Sequence, residues 1–81
     1  MSKVSLRRLQ PGQGAIIKSI KGGGEMGRRI RDMGLVPGVR FRVVGRAPLK
    51  DPVEIKLLDY NLTLRNNEAD FILVEPEEIR K

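Results

Sequence analysis

The carboxylates best able to bind a hard cation belong to Asp51, Glu54 and Asp59, which lie close together in the sequence. Successive side chains of a strand point to opposite faces, so a strand through this segment separates the three. Their spacing also lacks the dense oxygen ligands of a calcium-binding loop. We therefore expect no metal site among them.

Other chemistry is limited because the sequence contains neither cysteine nor histidine. Zinc, copper and haem lose their usual protein ligands, and no histidine is available as a general base. No nucleophile is arranged with a base elsewhere, so we expect no catalytic residue, no bound cofactor and no enzyme activity. The lack of cysteine also favours an intracellular protein over a secreted one.

Three glycines match a pattern that can place a phosphate at a helix N-terminus. Gly22, Gly24 and Gly27 satisfy G-x-G-x-x-G. A dinucleotide site also needs a parallel βαβ unit and an acidic residue about 20 positions further on. This chain is short, its strands are predicted to be antiparallel, and the first acidic residue after Asp32 is Asp51. A glycine-rich connection into a helix is the better interpretation.

Positive charge is concentrated in the first half of the chain. The net charge is +6, with a balance of +9 in residues 1–46 and −3 in residues 47–81. A basic region of this size attracts nucleic acid, acidic protein surfaces or anionic lipid headgroups, or simply keeps a small protein soluble. No apolar run approaches the roughly 20 residues that span a bilayer, and the N-terminus lacks the apolar core of a signal peptide. We expect a cytoplasmic protein.

A short basic helix is predicted over Glu25 to Met33. Met26, Ile30 and Met33 recur at helical spacing and form one apolar stripe, while arginines occupy the other faces. The helix is therefore expected to pack by one side only.

The residues after this helix are interpreted as architecture. Gly34 stands where a left-handed residue would end the helix, and Leu35 can then fold back onto it. Pro37 and Gly38 form a turn that directs the chain away. We assign structural roles to Gly34, Pro37 and Gly38.

The rest of the chain predicts a mainly β protein. An 81-residue chain forms one domain with a small core, and residues 4–10 are expected to pack Leu6 and Leu9 beneath it. About five antiparallel strands with one short α-helix curl into a small SH3-like barrel whose end the helix closes. A charged tail is expected at about residues 77–81. The predicted strands span residues 15–20, 39–44, 53–58, 62–64 and 71–74.

A series of short motifs along the chain resembles the FeoA family, the small component of bacterial ferrous iron uptake, because the motifs occur here in the order found in that family. No single motif is specific, but together they extend from about Leu6 to Val74. Ile30 stands where leucine is more usual in the family, which is a conservative change. The motifs are Leu9 followed by Pro11-Gly12, Gly22-Gly23-Gly24, Arg28-Arg29, Met33-Gly34-Leu35, Pro37-Gly38, Ala47-Pro48, Pro52-Val53-Glu54-Ile55, Leu64-Arg65 and Glu68-Ala69.

The resemblance implies a non-catalytic accessory protein that binds and modulates FeoB, a membrane protein with a G domain that forms the iron permease. It implies recruitment to the inner face of the membrane through that partner, with no specific nucleic acid. The chain also resembles the SH3-like module of DtxR-type metal-dependent repressors. No DNA-binding helices precede it here, so the transport component fits better. The remaining alternative is a basic barrel that binds nucleic acid, which the three aromatic residues of the chain support weakly.

Two groups of residues are the candidate partner contacts. Ala47, Pro48 and Leu49 form a stiff loop with an apolar tip between two predicted strands, although Leu49 could equally close an open end of the barrel. Arg28, Arg29 and Arg65 are candidate contacts that could also reach a partner's nucleotide, because a guanidinium stabilises charge on a transferring phosphoryl group. For Arg29, a pair with Glu25 or Asp32 is the structural alternative.

Overall fold

The computed structural model describes residues 3–21, 24–46 and 51–77. These residues form six strands and two helices, with a turn of 3-10 helix at Leu6–Arg8. The strands are β1 (Val4–Ser5), β2 (Gly14–Ile20), β3 (Arg40–Arg46), β4 (Val53–Lys56), β5 (Asn61–Leu64) and β6 (Ile72–Pro76), and the helices are α1 (Gly24–Asp32) and α2 (Asn66–Ala69).

All pairings in the single sheet are antiparallel, and the strand order is β1-β6-β2-β3-β4-β5. Two irregularities bend it. The register between β2 and β6 shifts at Lys18, and that between β3 and β4 shifts at Val44. A bulge increases the local twist, so these positions help a six-stranded sheet to curl around one core.

Alternating side chains place the apolar residues of each strand on the inner face. In β3, Phe41 and Val43 are buried while Arg40, Arg42 and Val44 are exposed. Together with residues from the other elements, they form one core with no buried polar side chain among the described residues. The core consists of Leu6, Leu9, Ala15, Ile17, Ile30, Leu35, Phe41, Val43, Val53, Ile55, Leu57, Leu64, Ala69, Ile72 and Val74.

The two ends of the strand order meet through the segments that follow them. Neither edge strand pairs with the other in the described residues. Instead, Ser5 Oγ donates to the carbonyl of Ala69 at 3.4 Å, and Arg7 Nη1 lies 2.9 Å from Asp70 Oδ2. The 3-10 turn after β1 and the helix after β5 therefore close the sheet in place of a strand pairing.

The end of α1 is a Schellman cap. The N–H of Gly34 donates to the carbonyl of Arg31 at 2.9 Å, and that of Leu35 donates to Ile30 at 3.3 Å. Gly34 has φ = 93°, the left-handed conformation that this motif requires. Ile30 and Leu35 are both fully buried, so the cap returns the chain to the core as the sequence predicts.

The Pro-Gly pair after the cap forms a type II turn. The N–H of Val39 donates to the carbonyl of Val36 at 3.2 Å, with Gly38 at φ = 97° in the position that requires positive φ. Gly38 N–H also donates to Ile17 at 2.8 Å. The turn thereby fixes the start of β3 against β2, at the position where the sequence predicts a turn.

Several predicted boundaries need correction. A sixth strand, β1, was not expected, because two residues are too few to show a periodic pattern. The fourth strand ends at Lys56 rather than Leu58. The last strand continues through Pro76. Proline has no N–H to donate, but none is needed on the β1 side of β6, because β1 pairs only with residues 73 and 74. Packing of Leu6 and Leu9 is confirmed. Glu77 donates its N–H to Gly14 at 2.9 Å, and residues 78–81 of the predicted tail lie outside the described residues.

We expect Gly34→Ala to destabilise the fold more than Gly38→Ala. Both residues have positive φ, which strains a side chain by about 1–2 kcal/mol. Only at Gly34 would the new Cβ lie 2.5 Å from Tyr60 Oη. Displacing that hydroxyl breaks its 3.0 Å hydrogen bond to the carbonyl of Met33, a further cost of about 0.5–1.5 kcal/mol. Denaturant unfolding of both variants measures the difference.

The control is the same pair of substitutions in a Tyr60→Phe background. Without the hydroxyl, the nearest atom to the Cβ at position 34 is the ring carbon at 3.9 Å, an ordinary contact. The two glycine variants should then lose equal stability. A difference that persists would show that the phenol is not its cause.

We also expect the isolated protein to fold without metal. The sequence has no cysteine or histidine for a structural site, and the apolar core supplies about 25 cal/mol for each Å² buried. Thermal melting with and without a chelator should give the same midpoint. Unfolding by the chelator would contradict this ligand analysis.

Candidate functional site

The predicted loop tip at Ala47, Pro48 and Leu49 lies outside the described residues, but its two flanks are placed. Arg46 Nη1 donates to Asn66 Oδ1 at 3.3 Å, and the N–H of Asn66 donates to Asp51 Oδ1 at 2.9 Å. Both ends of the segment are thus tied to the first residue of α2. Arg46 and Asp51 are therefore held beside the start of α2.

Two of the three candidate arginines come together at the start of α2. Glu68 Oε1 accepts the N–H of Arg65 at 2.9 Å, and Glu68 Oε2 lies 3.6 Å from Arg29 Nη2. The first contact is the reach-back half of a capping box. The acidic partner of Arg29 is therefore Glu68 of α2. The expected pairing with Glu25 or Asp32 on its own helix is wrong, because α1 packs close enough to α2 for a tertiary partner.

Arg28 differs from Arg29 in having no acidic partner. It is exposed on α1 and forms no ion pair with the described residues. Arg65 is likewise exposed, and its backbone N–H, rather than its guanidinium, contacts Glu68. Arg28 and Arg65 are thus two exposed arginines without an acidic partner for the guanidinium among the described residues.

A second candidate site is an open groove of about 780 Å³ at the outer face of β3 and β4. It is lined by residues 39–42, residues 56–60, Gly34 and Glu77. The N–H of Leu57 donates to the carbonyl of Tyr60 at 2.8 Å, which closes the turn between β4 and β5. Tyr60 Oη binds the carbonyl of Met33, so the turn is also tied to the end of α1. Hydrogen bonds to the backbone therefore hold one wall of the groove in place.

The groove combines apolar surface with charges of both signs, three of them positive (Arg40, Arg42 and Lys56) and two negative (Asp59 and Glu77). Leu58 is 92% exposed and Tyr60 is 45% exposed, in a protein whose other large apolar side chains are mostly buried. Arg42 and Lys56 are direct cross-strand partners on the same face. Glu77 Oε2 lies 3.3 Å from Arg40 Nε.

The sequence pattern missed Leu58 and Tyr60. Alternation through residues 53–58 placed Leu58 on the outer face of a strand, where a polar residue is usual. The Leu57-Leu58 pair before the turn-like Asp59-Tyr60-Asn61 could have indicated that one leucine is exposed, because two successive leucines cannot both face one core from a strand. The structure ends the strand at Lys56 and buries only Leu57.

The described residues offer no constellation for catalysis or metal binding. No polar or charged side chain among them is buried, and no group of three acidic residues comes together to hold a metal ion. No helix in this part of the chain is long and apolar enough to cross a membrane. What the surface offers is charge and exposed apolar area, the properties of a binding module.

A family model, described as the FeoA domain, matches residues 4–76. The chain belongs to the FeoA family. The match covers both helices and all six strands of the described structure, so the family resemblance expected from the motifs is confirmed.

Similar proteins give the family its context. The chain is 43% identical, over 70 residues, to the Fe(2+) transport protein A/Fe(2+) transporter FeoB fusion protein of Porphyromonas gingivalis. The match covers 86% of this chain and 8% of the fusion protein. The NMR structure of a FeoA-like protein from Clostridium acetobutylicum is 31% identical with a TM-score of 0.93, covering 100% of this chain and 94% of that one.

More distant structures share the fold alone. A zinc-complexed FeoA of Stenotrophomonas maltophilia, described as an SH3 domain protein, has a TM-score of 0.75 at 24% identity, covering 93% of this chain and 91% of that one. A manganese-dependent transcriptional repressor has a TM-score of 0.82 at 16% identity, covering 95% of this chain and 42% of the repressor. The SH3-like prediction is confirmed, and the fold is also present in a metal-dependent repressor.

We expect Glu68→Ala to destabilise the protein by about 1–2 kcal/mol, because it removes an N-terminal cap of α2 and leaves the Arg65 N–H without its acceptor. Arg29→Ala removes only the ion pair. Since the Arg29 side chain is 69% exposed, that loss should be about 0.5 kcal/mol or less. Urea unfolding compares the two variants, and equal losses would contradict the capping role.

Proposed function

We propose that this chain is a non-catalytic accessory protein of ferrous iron transport that binds the cytoplasmic part of a FeoB-type transporter and modulates its activity. The observation that carries this proposal is the relative in which transport protein A and FeoB are parts of one fusion protein. Fusion keeps two modules at high effective concentration, which indicates that they act together. Where the two modules are not linked, they must bind each other to stay together.

The surface supports a role in protein contact. The described core contains only apolar side chains, which leaves the polar and charged groups at the surface. Exposed apolar residues beside unpaired arginines are the usual composition of a contact face, in which a few apolar anchors and arginines supply most of the affinity. The chain has a net charge of +6, so it attracts a partner with an acidic surface.

The face around α2 is the proposed contact for this function. Its proposed contact residues are Ala47, Pro48, Leu49, Arg28, Arg29 and Arg65. Arg46 and Asp51 anchor the tip's flanks to Asn66, so the loop can meet a partner with little further ordering of its base.

Co-precipitation with the cytoplasmic domain of the FeoB-type transporter from the same organism tests the proposal. Binding to that domain at low and at high salt, with little binding to bulk RNA, is the expected result. Salt-sensitive binding to RNA alone would favour the nucleic-acid alternative instead. GTP turnover by the domain, measured with and without this chain, reports modulation.

We expect Leu49→Asp to abolish co-precipitation while the protein melts like its parent. An exposed leucine on a loop changes stability by no more than about 0.5 kcal/mol when replaced. Iron uptake in cells carrying the variant should fall to the level seen without the protein. A much lower melting temperature would instead assign Leu49 to the core, where a stranded carboxylate is costly. Normal melting with normal binding would contradict both roles.

A further inference from the structure

We propose that the groove lined by residues 39–42 and 56–60 binds a segment of the protein partner in which a carboxylate stands next to an apolar side chain. The inference rests on the proposed function, because the partner is the cytoplasmic part of the FeoB-type transporter. It adds a second contact, separate from the face around α2, and specifies the chemistry of what that contact receives.

The apolar part of the groove calls for an apolar occupant. Leu58 is 92% exposed in a turn held by the backbone hydrogen bond between Leu57 and Tyr60 and by the phenol of Tyr60. Because the turn is fixed, Leu58 cannot fold back onto the core to hide its side chain. An apolar side chain of a partner can cover Leu58 at a small entropic cost, because the turn is already ordered. A pre-ordered apolar side chain of this kind is typical of an interface anchor.

The charged part of the groove calls for an anion. Arg42 and Lys56 face each other across β3 and β4, and like charges directly opposite destabilise a sheet. Arg42 Nη1 donates to the carbonyl of Gly12 at 2.6 Å. Neither cation forms an ion pair with an acidic residue in the described part of the chain. A carboxylate from a partner relieves the repulsion and gains charge-assisted hydrogen bonds.

A protein segment fits both features better than nucleic acid does. Single-stranded nucleic acid is usually bound by several aromatic platforms beside the cations. Here Phe41 is 5% exposed, so Tyr60 is the aromatic ring in the groove with substantial exposed area. Leu58 has no stacking role, whereas it suits an aliphatic side chain.

Two groove variants and two matched controls test the inference. Leu58→Asp places a carboxylate on the apolar tip, and Val44→Asp makes the same change at an exposed valine of β3 outside the groove. Lys56→Glu reverses a groove charge, and Lys21→Glu makes the same net change at an exposed lysine elsewhere. Each control therefore matches its partner in chemistry and long-range charge.

Affinity for the transporter's cytoplasmic domain is measured by calorimetry. We expect Kd to rise by about tenfold or more for Leu58→Asp and for Lys56→Glu, as for loss of an interface anchor. Both controls should bind like the parent. Leu58→Asp and the two controls should melt at the parental temperature, and Lys56→Glu should melt at or above it, because this change replaces the like-charge pair with Arg42 by an opposite-charge pair. Amide resonances of residues 56–60 should shift on titration of the labelled parent protein.

The outcomes separate this inference from the proposed function. If the parent binds and the groove variants bind equally well, the groove inference is overturned while the function stands. If the parent does not bind, the proposed function fails and the inference fails with it. If Leu58→Asp unfolds, the Kd of Lys56→Glu still decides whether the groove contacts the partner. A single-stranded RNA arm is included, and RNA binding that Lys56→Glu weakens while Leu58→Asp does not would overturn the protein-segment assignment.

Discussion

The guanidinium of Arg46 joins three parts of the barrel that no strand pairing connects. It donates to the carbonyls of Arg7 and Leu9 at the end of the 3-10 turn and to the side chain of Asn66 at the start of α2. Carbonyls at the end of a helical turn lack partners within it, so an arginine is well suited to satisfy them. Together with the Ser5–Ala69 hydrogen bond and the Arg7–Asp70 ion pair, Arg46 therefore helps to close the sheet and to place α2.

Two binding faces follow from one compact core. Because β3 contributes alternating side chains, its inner residues complete the core while its outer residues line the groove. The same strand ends at Arg46, beside the predicted contact loop. Glu68 then connects α1 to α2 on that side. The described residues of the proposed contacts are thus held by the elements that stabilise the fold.

Sequence patterns predicted the parts of this structure that local chemistry determines. The amphipathic helix, the positive-φ glycine at position 34 and the turn at Pro37-Gly38 each depend on neighbouring residues, and the structure has all three at the expected positions. The partner of Arg29 could not be predicted, because Glu68 lies far away in the chain and only the tertiary fold brings them together. The end of the strand before Leu57 and Leu58 was also missed, since alternation does not tell where a strand ends.

The position of β6 has a consequence for how the chain acquires its shape during synthesis. This strand is the last of the described elements along the chain, yet it lies between β1 and β2, pairing Val74 with both Val4 and Ile17. A nascent chain that has not yet released residues 72–76 from the ribosome cannot join β1 to the rest of the sheet. The sheet therefore forms only after these residues have been synthesised, and the long-range pairings make its formation slow for so small a sheet.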